Sequence, residues 1–463
     1  MNKNDIIRLS IEDMTSDGSG VGKVEGMVIF VPDTAVGDIC DVRILKVKKN
    51  VCYGKIENII DGSPDRVDPV CPVSSRCGGC VYRHMSYDAE LKVKHKKVYD
   101  AVTRIGKVDG SKVTDIMGAF EDKTDRYRNK AMIPVGLNKN GEVEMGFYSR
   151  HSHRIAPCDD CLLSPVIFTQ ISDTFKLFVT KYPYLIYNEE KHSGKIRHLY
   201  LRIGEKTGEV MVCIVVNGRS FDHQDELFNS IKEKYSQVKS IVINVNKAKT
   251  NVILGYENIV VFGKESITDV LCGLKFELSP LAFYQVNRTQ AQRLYEKAKE
   301  YADLSGDEVL IDLYCGTGTI GLSMADSCKQ LIGVEIIDKA IDNAKRNAKN
   351  NGIENARFIC GDAEKAALQL KKEGITPDVI VVDPPRKGLT EKLIETIVEM
   401  NPKRVVYVSC DPATLGRDLK LFEELEYFVK EITPVDLFPR TAHCESVCWL
   451  SKEEINLEIK RRA

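Results

Sequence analysis

A glycine-rich turn between a predicted strand and a predicted helix constrains the fold of this chain more than any other feature. Residues 309–321 read VLIDLYCGTGTIG, so an apolar β-run passes directly into the turn. Glycine lets the backbone approach a ligand closely at the edge of a sheet. The next apolar run, residues 330–335, ends in Glu335, as in dinucleotide-type sites where a carboxylate binds the ribose hydroxyls. Both NAD and S-adenosylmethionine fit this pattern.

Two further strand ends extend it. Gly361-Asp362 follows one apolar run, and residues 379–388, VIVVDPPRKG, place Asp383 directly after another. Strands that alternate with helices predict an α/β fold with a Rossmann-like, doubly wound sheet. The segment DLYCGTGTIGL, followed by GVEIIDKAIDNAKRNAKNNG, resembles the S-adenosylmethionine-dependent methyltransferases more closely than the dehydrogenases. S-adenosylmethionine is therefore the expected cofactor.

A single cysteine stands at the end of another predicted strand. Residues 405–408, VVYV, are β-branched or aromatic, and Ser409-Cys410-Asp411-Pro412 follows them. The carboxyl end of a strand is where open α/β sheets hold their ligands, so Cys410 is a candidate nucleophile. A lone cysteine more often only fills a core, and these residues alone leave both interpretations open.

The composition bounds the class of protein. The 463 residues are long for one core, which predicts two or three domains. The sequence begins without the pattern of a signal peptide and has no apolar run of membrane-spanning length, so we expect a cytoplasmic protein without a membrane partner. The net charge of -1 gives no global attraction to polyanions. Any contact with nucleic acid then requires a local basic patch.

Residues 1–62 predict a small β-barrel, because short β-runs alternate with turn signals such as Asp17-Gly18-Ser19-Gly20. Basic residues alternate with apolar positions between Val42 and Ile56, which predicts either a basic binding face or a solvated strand face. The basic residues are Arg43, Lys46, Lys48, Lys49 and Lys55. The segment GSGVGKVEGMVIFVPDTAVGDICDVRILKVKKNVCYGKI resembles the TRAM domain, an OB-like RNA-binding barrel.

Clustered cysteines follow the barrel. Disulfides are rare in a reducing compartment, so such clusters indicate metal ligands or catalytic groups. Thiolates spaced CxxxxxCxxC, in CPVSSRCGGC, suit an iron-sulfur cluster or zinc when a further ligand comes from elsewhere. The first group is Cys71, Cys77 and Cys80, and the later pair is Cys158 and Cys161.

A basic stretch lies between the two cysteine groups. Residues 83–107 predict a helix, and RNA contact and a solvated helix are equally good interpretations of it. Its basic residues are Arg83, Lys92, Lys94, Lys96, Lys97, Arg104 and Lys107.

Over essentially its whole length, the sequence resembles the RNA uracil-5-methyltransferase family. The resemblance rests on the barrel and on CPVSSRCGGC, FYQVN, DLYCGTGTIGL, DPPRKG, SCDPATLGRDL and HCESV. It implies that Cys410 is the nucleophile and Glu445 the general base. It further implies two ligand-binding sets, Gln285, Tyr314, Glu335 and Asp383 for S-adenosylmethionine and Cys71, Cys77, Cys80 and Cys161 for a 4Fe-4S cluster, with Cys158 as the rival fourth cluster ligand.

The family chemistry explains why a thiol and a base are needed. Carbon 5 of uracil is too weak a nucleophile to accept a methyl group directly, but addition of a thiolate at carbon 6 turns carbon 5 into an enolate carbon. A cysteine is suited to this step, and a polar pocket can lower its pKa further. A base must then remove the proton from carbon 5 so that elimination frees the enzyme.

The resemblance also predicts the organisation and the substrate. We expect a TRAM barrel at 1–62, a central α+β iron-sulfur and RNA-binding domain at 63–275, and a methyltransferase domain at 276–463. The barrel and the cluster together resemble the members that modify 23S rRNA more than those that modify tRNA, which typically lack both. A monomer acting on free or partly assembled 23S rRNA is expected.

Several alternatives remain at this point. They are a tRNA uracil-5-methyltransferase, a non-catalytic iron-sulfur RNA-binding factor, an amino-directed methyltransferase suggested by DPPR, and a cytosine-5 RNA methyltransferase. The last lacks its typical Pro-Cys motif here, and SCDP with HCESV counts against an amino-directed enzyme.

Overall fold

The N-terminal part of the chain is rich in strands. A computed structural model describes residues 1–150 and 152–452. The first strands are β1 (Ile6–Ser10), β2 (Asp13–Met14), β3 (Gly20–Val24), β4 (Met27–Val31), β5 (Ile39–Val47) and β6 (Val51–Asp61). They pair in the order β1-β5-β6-β4-β3-β2 and enclose a small core that includes Leu9, Ile29 and Val42. The predicted strand-rich N-terminal region is confirmed.

The basic stretch after the barrel forms helix α1 (Tyr87–Arg104). Its N-terminus is capped by Ser86, whose hydroxyl accepts a hydrogen bond from the Ala89 N–H at 3.3 Å. Val98 and Val102 pack into the core of the C-terminal sheet. The helix is therefore part of the protein interior on one side, and a fully solvated helix is excluded.

The central part is a mixed sheet covered by helices. Its elements are β7 (Lys130–Leu137), β8 (Val143–Tyr148), β9 (Ile155–Pro157), α2 (Val166–Lys181), β10 (Ile196–Ile203), β11 (Val210–Val216), α3 (Gln224–Lys234), β12 (Val238–Val245) and β13 (Glu257–Gly263). The strand order is β13-β12-β11-β10-β7-β8-β9. Apolar side chains of α2 and α3, including Phe175 and Phe228, share a core with one face of this sheet. The apolar runs at 198–203, 210–216 and 240–245 lie in β10, β11 and β12.

A hairpin and a helix join the central sheet to the next one. They are β14 (Ile267–Leu271), β15 (Leu274–Leu278) and α4 (Arg288–Ala302). Asn287 caps α4, because its side chain accepts from the Gln290 N–H at 3.2 Å. One continuous core contains Met211 of the central sheet, Leu294 of α4 and Val406 of the C-terminal sheet. The two sheets are thus packed against shared elements.

The C-terminal part alternates strands and helices, as predicted. Its elements are β16 (Val309–Leu313), α5 (Thr319–Leu322), β17 (Gln330–Glu335), α6 (Asp338–Asn350), β18 (Ala356–Cys360), α7 (Ala363–Lys372), β19 (Val379–Val382), α8 (Glu391–Met400), β20 (Arg404–Ser409), α9 (Pro412–Glu424), β21 (Phe428–Val435) and β22 (Glu445–Ser451). The strand order is β18-β17-β16-β19-β20-β22-β21. The first five strands are parallel, and β22 runs antiparallel to both β20 and β21. The α/β methyltransferase-type sheet is confirmed, with an antiparallel end that the sequence pattern did not indicate.

Single turns of 3-10 helix occur at Gly110–Lys112, Glu121–Lys123, Pro183–Leu185 and Ala325–Ser327. Across residues 1–150 and 152–452, no helix combines the length and the apolar character needed to cross a membrane.

Candidate active site

Strand order brings the predicted site residues to one edge of the C-terminal sheet. Glu335 ends β17, Tyr314 follows β16, Asp383 follows β19 and Cys410 follows β20, and these four strands are neighbours in that order. Because β22 is antiparallel, its first residue, Glu445, lies at the same edge as the carboxyl ends of the parallel strands. A cofactor turn, a thiol and a carboxyl group therefore share one edge.

The glycine-rich turn after β16 is held by a buried acid. Gly316 and Gly318 adopt positive φ angles of 56° and 84°, which cost glycine little. At Gly321 a Cβ atom would lie 2.7 Å from Oδ2 of Asp312, and the Gly321 N–H donates to that oxygen at 2.8 Å. Burial raises the pKa of Asp312 to about 8. The close approach of helix and strand thus requires the glycine and fixes the turn.

Glu335 faces this turn from the neighbouring strand. Its carboxylate accepts hydrogen bonds from the Gly316 N–H at 3.2 Å and from the Ile337 N–H at 3.0 Å. Tyr314, at the start of the turn, has a φ of 68°, which is unusual for a residue with a side chain. This backbone arrangement leaves the turn open toward a ligand at the sheet edge.

Gln285 comes from a different element. It lies in the loop between β15 and α4, and its carbonyl oxygen accepts a hydrogen bond from the Asn129 side chain at 2.8 Å. Asn129 immediately precedes β7, so the central sheet sets the position of this loop. Phe283, two residues earlier, is 62% exposed. The loop therefore presents both polar and aromatic surface.

The Cys410 thiol is half-buried and sits among acids. Burial raises its pKa to about 11, the charges of Glu445 and Asp383 act in the same direction, and Arg386 opposes them. The sequence had suggested a polar pocket that lowers this pKa, and here the structure differs. The main reason is the burial of the thiol, to which the neighbouring carboxylates of Glu445 and Asp383 add.

Glu445 and Asp383 hold their protons more tightly than ordinary acids. Glu445 is buried, and burial together with Asp383 raises its pKa to about 8, against the effect of Arg386. Burial raises the pKa of Asp383 to about 7. A carboxyl group with a pKa in this range can accept and return a proton near neutral pH, which suits general acid-base work.

A large groove opens in front of Cys410. Its volume is about 980 Å³, at the upper end of the ~300–1,000 Å³ typical of small-molecule sites. The barrel contributes residues 16–19, the cysteine segment contributes Gly78 and Gly79, and the C-terminal sheet contributes Cys410 and His443. Five cations line the groove, namely Lys97, Arg104, Arg128, Arg150 and Arg386. Such a groove suits a polyanion larger than a cofactor.

Four of these groove residues, Arg128, Arg150, Arg386 and His443, were not singled out from the sequence. Arg386 is exposed and follows the Asp383 strand end within DPPRKG, so its position in that motif was the available signal. His443 packs edge-on against Phe438, with ring centroids 6.1 Å apart. Burial and the nearby cations Arg386 and Lys97 lower the pKa of His443 to about 4, so its imidazole is neutral at pH 7.

The predicted cluster ligands face a common cavity. Cys71, Cys77, Cys80, Cys158 and Cys161 all line a space of about 470 Å³, and all five are free thiols. The Gly79 N–H donates to the Cys77 sulfur at 3.4 Å. Within the described residues, no three His, Cys, Asp or Glu side chains are grouped closely enough to hold a metal ion.

Comparison with known proteins assigns the chain to a family. Residues 191–453 match the family described as tRNA (Uracil-5-)-methyltransferase, and residues 2–56 match the TRAM domain. The chain belongs to the tRNA (uracil-5-)-methyltransferase family. The family predicted from the motifs is confirmed, and the chain is an S-adenosylmethionine-dependent RNA methyltransferase.

Relatives of the tRNA (uracil-5-)-methyltransferase family match nearly the full length. An uncharacterized RNA methyltransferase of Halalkalibacterium halodurans is 46% identical over 450 residues, which is 97% of this chain and 98% of that protein. An uncharacterized RNA methyltransferase of Staphylococcus aureus is 42% identical over 445 residues, or 96% of this chain and 98% of that protein.

A solved structure supports the fold of this family member. The tRNA (uracil-54, C5)-methyltransferase of Pyrococcus abyssi, in complex with S-adenosyl-L-homocysteine, has a TM-score of 0.77 and 29% identity. The match covers 96% of this chain and 99% of that chain. The relative therefore shares the whole architecture, including the N-terminal region.

Proposed function

We propose that this enzyme methylates carbon 5 of a uridine in 23S rRNA through a covalent adduct between Cys410 and carbon 6. One observation carries the proposal. Cys410 directly follows β20, Glu445 begins the adjacent strand β22, and the register of the two strands pairs Ser409 with Ser446. A thiol and a carboxyl group thus meet at the sheet edge beside the cofactor turn.

The proposed reaction uses the two groups in turn. The Cys410 thiolate adds to carbon 6, and the electron pair of the 5,6 double bond makes carbon 5 an enolate carbon. Carbon 5 takes the methyl group, which S-adenosylmethionine supplies from its sulfonium centre. The Glu445 carboxylate removes the proton from carbon 5, the double bond re-forms, and the thiolate leaves.

The charges of the site explain how its protons are released. In the protein alone, burial raises the pKa of Cys410, Glu445 and Asp383, and neighbouring carboxylates add to the shift at Cys410 and Glu445. A positive charge nearby favours the ionised form of each. Arg386 already acts in that direction on Cys410 and Glu445, and the sulfonium charge would add to it. The turn at Gly316, with Glu335, would hold the nucleoside end of that cofactor.

The choice of 23S rRNA rests on the presence of the barrel and of the cysteine segment. One specific observation favours tRNA as a second candidate: the Pyrococcus abyssi relative, named for a tRNA uridine, matches over 99% of its own chain. Domain content therefore separates the two substrates less sharply than the sequence suggested, and the RNA must be tested directly.

Methyl-transfer assays provide that test. Protein-free 23S rRNA fragments and tRNA lacking 5-methyluridine are each incubated with labelled S-adenosylmethionine and the full-length enzyme. We expect label in a single uridine of 23S rRNA. Label confined to tRNA contradicts the ribosomal substrate while leaving the chemistry intact. An RNA carrying 5-fluorouridine at the target should form an adduct with Cys410 that survives denaturing gel electrophoresis.

We also propose that Cys71, Cys77, Cys80 and Cys161 hold a 4Fe-4S cluster with a structural role. Of the residues that the structure describes, five cysteines and no His, Asp or Glu line the cavity, and thiolates are the usual ligands of such clusters. A single zinc ion would draw its sulfurs to ~2.3 Å from one centre, whereas a cluster gives each cysteine its own iron. The methylation chemistry transfers no electron, so the cluster would serve to tie this segment together.

Anaerobic purification tests the cluster. The protein should be brown and contain about four irons per chain, and Cys77→Ser should lose both. Cys360→Ser is the matched control, because Cys360 is exposed at the end of β18 and lies outside the cavity. Comparing Cys158→Ser with Cys161→Ser identifies the fourth ligand. Stoichiometric zinc in place of iron would overturn the proposal.

A further inference from the structure

Helix α1 grips the loop that leads into Glu445. This loop, residues 436–444, connects β21 to β22 and ends where Glu445 begins β22. Three side chains on one face of α1 bind it at every second residue. Lys94 donates to the Asp436 carboxylate at 2.6 Å and to the Phe438 carbonyl at 3.1 Å, Glu90 accepts from the Arg440 N–H at 2.6 Å, and Lys97 donates to the Ala442 carbonyl at 2.8 Å.

The spacing of the three residues along α1 explains why their side chains reach the same loop. Positions 90, 94 and 97 lie on one face of a helix, because side chains three to four residues apart are neighbours. Positions 436–442 form a turn, in which the Thr441 N–H donates to the Phe438 carbonyl at 3.1 Å and Arg440 has a φ of 69°. The helix face therefore contacts this turn at four alternate positions.

The centre of this contact is a buried group of charges. The side chains of Lys94, Glu90 and Asp436 are each 0% exposed. Lys94 lies 2.7 Å from Glu90, Arg440 lies 3.5 Å from Glu90, and the Tyr87 hydroxyl donates to Asp436 at 2.7 Å. Two cations thus balance two carboxylates. Burial alone lowers the pKa of Lys94, but Glu90 and Asp436 outweigh it and raise the pKa.

The same loop is anchored from the cysteine segment. The Val81 N–H donates to the Arg440 carbonyl at 2.9 Å, and the Tyr127 hydroxyl donates to the Pro439 carbonyl at 2.8 Å. The loop is also continuous with the groove, since Thr441, Ala442 and His443 line it. Any displacement at Asp436 or Phe438 would pass along the loop to His443 and Glu445.

We infer that Lys94 is a positioning residue for Glu445: by fixing Asp436 and Phe438 it holds the general base where the carbon 5 proton must be removed. Lys94 is completely buried, so it touches neither RNA nor cofactor and acts through the loop. The inference rests on the proposed function. It also replaces RNA contact as the role of this lysine.

The test separates positioning from folding by conserving the buried charge balance. Lys94→Met alone leaves one carboxylate unbalanced, and breaking a buried pair in this way is strongly destabilising. The double variant Lys94→Met with Asp436→Asn keeps the ion pair between Arg440 and Glu90, which lie 3.5 Å apart, and the amide oxygen of the introduced asparagine can still accept from the Tyr87 hydroxyl. We expect the double variant to melt close to the wild-type temperature and still to lack the two Lys94 contacts with the loop.

Two RNA substrates then report on different steps. On 5-fluorouridine RNA there is no carbon 5 proton to remove, so the double variant should form the adduct at the wild-type rate. On uridine RNA it should turn over about 10- to 100-fold more slowly and accumulate the methylated adduct, because misplacing a catalytic group by about 1 Å can cost this much. Rapid quenching followed by denaturing gels measures both.

Lys297→Met is the matched control. Lys297 is 15% exposed and pairs with Glu300 at 2.9 Å and with Glu431 of β21 at 3.3 Å, away from the loop. Its variant should show no accumulated adduct. Equal losses of adduct formation and turnover in the double variant, or wild-type turnover, would overturn the inference. Failure of the wild-type enzyme to form any adduct would instead refute the proposed function, and the inference with it.

Discussion

At the scale of single residues, the site is unusual in how tightly it holds protons. Asp312, Asp383, Glu445 and Cys410 are buried or half-buried at one sheet edge, and burial is the largest cause of the raised pKa of each. Arg386 opposes the shift at two of them. The site is therefore prepared to become anionic when positive charge arrives, and to stay neutral before that.

Replacing the nucleophile should abolish chemistry while leaving cofactor binding nearly intact. Cys410→Ala removes the only group proposed to bond to the uracil. The glycine-rich turn after β16, where the cofactor is expected, lies two strands away, beyond β19. We expect no turnover and an S-adenosylmethionine affinity within about twofold of wild type, because the nucleophile contacts the uracil and not the cofactor. Methyl transfer and calorimetric titration measure these quantities. A large loss of affinity would show that the thiol contacts the cofactor instead.

Replacing the proposed general base, Glu445, should change the step that limits turnover. Glu445→Gln should permit methyl transfer but trap the methylated adduct, with turnover reduced by about 10²- to 10⁴-fold. The pKa of Glu445 is raised to about 8, so it is mostly protonated at pH 7 in the protein alone. Wild-type turnover should therefore increase with pH up to about 8, and this dependence should weaken in the Gln variant. Wild-type turnover in that variant would exclude Glu445 as the base.

At the scale of elements, the residues that follow each parallel strand could be predicted from the sequence, whereas the pairing of distant strands could not. Asp383 directly follows the apolar run VIVV, and Tyr314 and Cys410 follow runs that are apolar apart from Asp312 and Ser409. Parallel strands place such residues at one edge. Glu445 reaches the same edge only because β22 returns antiparallel beside β20. That pairing joins segments separated along the chain, and local periodicity carries no information about it.

Helix α1 shows the same limit. The sequence predicts a helix over 83–107, and the structure places it at Tyr87–Arg104, with Ser86 as its cap. Its lysines indicated RNA contact or solvent exposure equally, yet Lys94 is buried against Asp436 of the last β-hairpin. A charged residue on a helix predicts solvent unless its partner is known, and here the partner lies 342 positions away.

The barrel offers a test of RNA contact at the element scale. Lys46 and Lys48 are exposed near the turn between β5 and β6, and Lys48 lies 5.5 Å from the ring of Tyr53. Lys46→Ala with Lys48→Ala should weaken RNA binding and reduce the slope of log K against log salt by up to about 2, because each phosphate contact contributes nearly one unit. S-adenosylmethionine affinity should not change.

Lys232→Ala with Lys234→Ala is the matched control for the barrel variant. Both lysines are exposed on α3, on the outer side of the central sheet. Filter binding across a series of salt concentrations compares the two double variants. Equal slopes for the barrel variant and the wild type would show that this face does not touch RNA.

At the scale of the whole molecule, the parts are joined through charge and shared cores. Asp38 of the barrel has a side-chain exposure of 0% and pairs with Arg66 at 2.8 Å. Arg150 links the barrel residue Asp33, at 3.0 Å, to the carbonyl of Cys80. Removing the barrel would therefore leave the partly buried Arg66 and Arg150 without these partners, and point substitutions on its surface are the cleaner test of its role.

The proton-holding site should also set how the stability of the cofactor-free enzyme depends on pH. An unfolded glutamate has a pKa of ~4.3, whereas that of Glu445 in the fold is raised to about 8. Between these values the folded state binds a proton that the unfolded state has lost, so stability is greatest at low pH in this range and falls as pH rises. Each such group contributes at most about 1.4 kcal/mol per pH unit.

Glu308 provides a control, because its pKa is shifted in the opposite direction to that of Glu445. Burial alone would raise its pKa, but hydrogen bonds from Ser305 and from the Gly306 N–H outweigh it and lower the pKa to about 2. Its contribution to stability is present above pH ~4.3 and lost in acid. Glu445→Gln should therefore flatten the decline in melting temperature between about pH 5 and pH 8. Glu308→Gln should instead lower the melting temperature by a constant amount above pH ~4.3 and change its pH dependence only below that value. Thermal unfolding of the cofactor-free protein across this pH range measures these melting temperatures. If the melting temperature of Glu445→Gln declined with pH as steeply as that of wild type, the Glu445 carboxyl group would be ionised in the folded protein and available as a base before any cation binds.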